Sequence, residues 1–158
     1  LQPTEENSLK EKIAKFVATS AGVGYIPVGP GTFGSIVALI WVGFFFEQSF
    51  FVQILSAILC FMLGTWASAE VIKSTGHPDP PFVVIDEVCG IFVTFLFIPI
   101  TPTTLALGFI FFRILDIFKL PFIRRLEAWP NGYGIMLDDL AAGILSNLLL
   151  HTWLMISS

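Results

Sequence analysis

The chain has 158 residues, 55% of them apolar, 15% aromatic and only 13% charged, with a formal charge of −4. A single domain of this length has too little interior to hide so many apolar side chains from water, whereas a soluble domain carries about a quarter charged residues. Lipid is therefore the expected solvent, and the acidic balance excludes a basic nucleic-acid binder.

Residues 1–8 are polar and are expected to be disordered, with residues 9–158 forming one membrane-embedded domain; no internal repeat or linker is visible. In residues 9–20, Leu9, Ile13, Phe16 and Val17 recur at helical spacing against Lys10, Lys12 and Lys15, the pattern of an amphipathic helix lying at a membrane interface. No cleavable signal is expected, because the first apolar run follows this polar stretch. Residues 22–35 are too rich in Gly and Pro for a regular helix. Apolar runs then cover residues 35–46, 50–69, 82–100, 103–118 and 140–156. The first is short against the roughly 20 residues of a bilayer crossing, and the others approach that length. Residues 47–49 and 99–102 read as tight connections between helices. Cys60 and Cys89 lie far apart in apolar runs and read as small buried hydrophobes. The expected fold is all-α: a polytopic membrane bundle of about five hydrophobic helices plus the interfacial N-terminal helix.

Five crossings place Lys10, Lys12, Lys15, Lys73, Lys119, Arg124 and Arg125 on one side of the bilayer, which the positive-inside rule makes cytoplasmic. The N-terminus is then inside and the C-terminus outside. The same topology gathers Asp79, Asp86, Glu87, Asp116, Asp138 and Asp139 at the cytoplasmic ends of the spans. An ionised carboxylate at helix depth is costly unless it faces a cation or water.

Asp86-Glu87 and Asp138-Asp139 each open an apolar helix. One acid there complements the helix dipole or caps the N-terminus. Two adjacent acids, twice, on the same side of the membrane point to a shared metal, because unscreened carboxylates repel. Oxygen ligands without clustered His or Cys favour Mg²⁺ over zinc. Gly90, four residues after Asp86, would let a neighbouring helix approach closely. Arg113, Asp116 and Lys119 recur every three residues: either Arg113 and Asp116 form an intrahelical ion pair, or the stripe offers Arg and Lys to a phosphate beside a metal-facing Asp116. Pro30-Gly31-Thr32-Phe33-Gly34-Ser35 precedes a helix and supplies backbone N–H groups and hydroxyls suited to an oxyanion.

Four segments carry a family resemblance: residues 30–35 as quoted, Val84-Ile85-Asp86-Glu87-Val88-Cys89-Gly90, Phe112-Arg113-Ile114-Leu115-Asp116-Ile117-Phe118-Lys119, and Gly134-Ile135-Met136-Leu137-Asp138-Asp139-Leu140-Ala141-Ala142-Gly143. Together, in this order, they resemble phosphatidylglycerophosphatase A, a family of bacterial membrane enzymes. Lys119-Leu120-Pro121-Phe122 departs from the family's usual Lys-Pro-x-Pro at that point.

The resemblance implies a phosphoric monoester hydrolase that removes the terminal phosphate of phosphatidylglycerophosphate. It also implies Mg²⁺ dependence and a role in phosphatidylglycerol synthesis at the bacterial cytoplasmic membrane. The expected metal ligands are Asp86, Glu87, Asp138, Asp139 and Asp79, and the expected catalytic acids are Asp86, Asp116, Asp138 and Asp139. Thr32, Ser35, Arg113 and Lys119 are expected at the phosphate. Water is the favoured nucleophile, because the sequence has neither a Cys-x5-Arg nor an Asp-x-Asp-x-Thr/Val motif, with a carboxylate, Asp86 or Asp138, as the alternative. The competing class is a small ion or proton transporter, which calls for acids near mid-membrane and often a pseudo-repeat.

Overall fold

The computed structural model describes residues 5–47 and 49–157. Among these the chain forms seven α-helices and no strand: α1 (Glu5–Ala18), α2 (Pro30–Phe45), α3 (Phe50–Thr75), α4 (Ile85–Thr94), α5 (Pro102–Ile117), α6 (Pro121–Leu126) and α7 (Tyr133–Ser157). Local chemistry sets their ends. Pro30 opens α2 where its missing N–H would have had no partner, after Gly29 in the left-handed region, so residues 30–35, expected to precede the helix, form its first turns instead. Ser49 caps α3 by accepting from the Phe51 N–H, and Gly76, at φ 70°, ends it. Thr101 and Thr104 form a reciprocal capping box at the start of α5. The α1 helix begins at Glu5, ahead of the expected start at Leu9, while residues 1–4 of the expected disordered segment lie outside the described residues.

Helix α4 occupies the centre, packed by α2, α3, α5 and α7. Its residues from Val88 to Thr94 are all buried. The α1 helix lies on α3, burying Ala14 and Ala18 and pairing Lys10 with Glu70 at 3.1 Å. Leu9, Ile13 and Phe16 stay exposed along α1, one apolar stripe at helical spacing.

Two helices, α3 and α7, are long and apolar enough to cross a membrane. The expectation of five hydrophobic helices is corrected at the third run. Residues 82–100 are not one helix, because α4 has only ten residues, about 15 Å of rise. The chain then turns through Phe97, whose φ is 60°. It still reaches the far end of the bundle, since the Phe97 N–H donates to Gln53 Oε1 at 2.8 Å in the first turn of α3. Two amides replace the missing helical hydrogen bonds. Asn147 of α7 donates to the carbonyls of Thr94 and Leu96 at 3.0 and 2.8 Å, and Gln53 donates to the Phe46 carbonyl at 2.7 Å. Such partners permit a broken helix where water is absent.

Large apolar side chains are exposed along every long helix, among them Ile40 and Trp41 on α2, Ile58 and Met62 on α3, Ile110 and Ile114 on α5, and Ile144 and Leu148 on α7. Soluble monomers rarely expose contiguous apolar surface of this kind.

Candidate active site

The site starts from a helix crossing. An added Cβ at Gly143 of α7 would lie 2.5 Å from the Gly90 carbonyl oxygen of α4, and one at Gly90 would lie 2.9 Å from the Asp139 carbonyl oxygen. The two backbones therefore touch directly, which only glycine permits. Asp86 sits one turn before Gly90, and Asp139 one turn before Gly143. Since i and i+4 share a helix face, the crossing points both carboxylates into the same space.

One carboxylate oxygen from each of Asp86, Glu87 and Asp139 lies within 4.8 Å of the others. Asp86 Oδ1, Glu87 Oε2, Asp138 Oδ1 and Asp139 Oδ2 are buried and accept no hydrogen bond. Unpaired buried carboxylates are costly, and mutually repelling ones more so. A divalent cation satisfies them, and an all-oxygen donor set suits a hard ion. On this test the residues fit a metal. Asp138 contributes to the cleft but lies outside the three-carboxylate group, and its other oxygen is held by Lys119.

From α5, Arg113 Nη1 lies 2.6 Å from Asp116 Oδ2 and 3.9 Å from Glu87 Oε1. The intrahelical ion pair is thus formed, and Arg113 stands behind the acids. Gly31, in the first turn of α2, packs so tightly that a Cβ there would collide with Glu87 Oε1. Just after α5, the Lys119 ammonium donates to Asp138 Oδ2 at 2.5 Å and to Glu127 Oε1 at 2.6 Å. Burial works against this ammonium, but the hydrogen bonds to Asp138 and Glu127 outweigh it and hold its pKa above the ordinary lysine value.

These groups line a cleft of about 290 Å³. Asp79, in the loop between α3 and α4, is exposed and lines the cleft, but it is outside the three-carboxylate group. Thr32, Ser35 and Arg113 are not among the cleft-lining residues. The buried Ser35 hydroxyl donates to the Gly31 carbonyl within α2 at 2.9 Å, and the Thr32 hydroxyl lies beside Gly29. Sequence reasoning missed Glu127. It follows Lys119 by eight residues across α6, and no helical or strand spacing signals such a contact. The acids gather at one end of the bundle, so the mid-membrane arrangement of a transporter finds no support.

The chain was compared with known proteins. Residues 16–154 match the family model described as Phosphatidylglycerophosphatase A. A Phosphatidylglycerophosphatase A of Escherichia coli is 33% identical over 135 residues, covering 82% of this chain and 77% of the relative. One from Haemophilus influenzae is 35% identical over 151 residues, covering 89% and 91%. A protein of Bacteroides thetaiotaomicron, provisionally named a phosphatidylinositol-3-phosphatase, is 32% identical over 142 residues, covering 85% and 89%. No solved structure matches the chain.

Proposed function

Because the chain belongs to the phosphatidylglycerophosphatase A family, and is thus a phosphatase of that kind, we propose that it removes the terminal phosphate of phosphatidylglycerophosphate with the help of Mg²⁺. The reaction would take place at the cytoplasmic face of a bacterial inner membrane, as a step in phospholipid synthesis. The observation that carries this reading is the set of four buried carboxylate oxygens without hydrogen-bond donors, from α4 and α7, beside the ammonium of Lys119.

Asp86, Glu87 and Asp139 would hold the cation, with Asp138 beside them. When bound, Mg²⁺ supplies charge neutralisation at the phosphoryl group and lowers the pKa of water. Lys119 binds a phosphoryl oxygen as a point charge. Asp138, hydrogen-bonded to the same ammonium, keeps it aimed into the cleft. Asp116 is fixed by Arg113 and accepts the proton of the attacking water. The water oxygen bonds to phosphorus and the phosphorus–ester oxygen bond breaks. The departing glycerol oxygen takes a proton, giving phosphatidylglycerol and inorganic phosphate. Thr32 and Ser35 have no part in this scheme, and Arg113 acts through Asp116 and Glu87.

The exposed apolar belt supports a multi-pass arrangement. Helices α3 and α7 cross fully, α2 and α5 are shorter crossings, and residues 82–100 complete a fifth as a helix followed by turns. The cleft then opens at headgroup level, on the side that carries Lys10, Lys15 and Lys73. Purified enzyme should release phosphate from short-chain phosphatidylglycerophosphate in Mg²⁺. The Bacteroides relative makes phosphatidylinositol 3-phosphate the informative competitor. A higher kcat/KM for the inositol lipid would overturn the substrate assignment, and turnover undiminished by a chelator would overturn the metal.

A further inference from the structure

Lys119 is held by two carboxylates that differ in kind. The Asp138 side chain is 5% exposed and that of Glu127 is 45% exposed. Withdrawing a buried carboxylate from its cation leaves an uncompensated charge in a poorly solvated place. An exposed carboxylate trades its cation for water at little cost. The two bonds to Lys119 are equally short, yet only the one to Glu127 is easily exchanged.

The surroundings sharpen this contrast. Seven carboxylates line the cleft, and among the described residues Lys119 is the one cationic side chain lining it. A phosphate monoester approaching this space therefore finds its obvious protein partner already carrying an anion. Glu127, at the C-terminal end of α6, lines the same cleft and donates no ligand to the three-carboxylate group; its hydrogen bond is to the lysine.

We propose that Glu127 is a placeholder anion: its carboxylate occupies, on the Lys119 ammonium, the position that a phosphoryl oxygen of the substrate takes, and substrate binds by displacing it. The proposal rests on the reading of Lys119 as a phosphate ligand. Before substrate arrives, Glu127 keeps the ammonium neutralised. Once displaced, it turns to solvent while Asp138 keeps the lysine in place. The same exchange in reverse helps expel inorganic phosphate after hydrolysis.

The test compares Glu127→Gln, Glu127→Asp, Lys119→Met and the Glu127→Gln/Lys119→Met double variant in detergent micelles. KM is read with short-chain phosphatidylglycerophosphate, and inorganic phosphate binding is read by titration calorimetry in Mg²⁺. In Glu127→Gln, KM and the dissociation constant for inorganic phosphate should fall together by about two- to fivefold, the range of an exposed ion pair. Glu127→Asp, which keeps the charge, should stay nearer the parent. In the Lys119→Met background, adding Glu127→Gln should leave phosphate affinity unchanged. A rise in both constants for Glu127→Gln would show that Glu127 positions the lysine and is not displaced, overturning the proposal. An equal gain with and without Lys119 would reduce the effect to general repulsion and overturn it as well. Wild-type KM and phosphate affinity in Lys119→Met would remove the underlying reading of Lys119, whatever Glu127→Gln does.

Discussion

The sharpest test of the site is a methyl group placed far from any reacting atom. In Gly143→Ala the new Cβ would lie 2.5 Å from the Gly90 carbonyl oxygen and 3.2 Å from its Cα. Ordinary contact begins at 3.4 Å, so α4 and α7 must part by about 1 Å in a close-packed interior. Stability should respond little. Alanine is the better helix former by about 1 kcal/mol, which offsets part of an overpacking cost of about 1–3 kcal/mol. Activity should respond strongly, because Asp139 lies one turn from the contact and a misplacement of about 1 Å can cost on the order of 100-fold. The expected result is a kcat lowered by about 100-fold, with destabilisation below about 2 kcal/mol, read by phosphate release and by thermal unfolding in detergent. Gly43→Ala is the control, since nothing lies within 4 Å of its added Cβ, and it should behave as wild type. A folded Gly143→Ala enzyme with kcat within about threefold of the parent would refute the idea that this crossing sets the carboxylate geometry.

Asp86→Asn and Asp139→Asn should each lower phosphate release by more than about 100-fold, a loss that even outer-shell partners of metal sites can produce. Asp79→Asn, at the exposed edge, should lose less than about tenfold; the reverse ranking would move the metal site toward the loop. Mg²⁺ at about 100 times its dissociation constant should raise unfolding stability by about 2.7 kcal/mol. Chelator should abolish that rise, Asp86→Asn and Asp139→Asn should lack it, and a thermal midpoint indifferent to Mg²⁺ would argue against binding. Asn147→Leu strands the carbonyls of Thr94 and Leu96 and should cost about 1–3 kcal/mol. An unchanged midpoint would show that those carbonyls find other partners.

Much of the site is legible in the residues themselves. Paired acids in apolar runs need a reason, although only Asp86 and Glu87 open their helix, Asp138 and Asp139 lying in the second turn of α7. The structure adds that Asp86, Glu87 and Asp139 converge closely, while Asp138 turns to Lys119. Gly90 reads in the sequence as a point of close approach, but its partner Gly143 is known only from the fold. The break after Thr94 is hidden, because residues 95–98 are as apolar as the helix before them and Pro99 is the sole local warning. What ends the helix is tertiary: amides on α3 and α7, 44 and 53 residues away in sequence from the groups they serve. Ser35 shows the opposite limit. A hydroxyl in a Gly-Pro segment looks free to bind an anion, yet it bonds back to its own helix.

The Asn147 strap also ties the centre of the fold to α7. Residues 94–101 carry carbonyls that a regular helix would have satisfied, and two of them, at Thr94 and Leu96, take their donor from the Asn147 amide of α7. The same helix brings Asp138 and Asp139. Without α7 the fold lacks both the amide that settles the break after Thr94 and two of the carboxylates of the cleft, so structural completion and the acid cluster depend on one and the same segment.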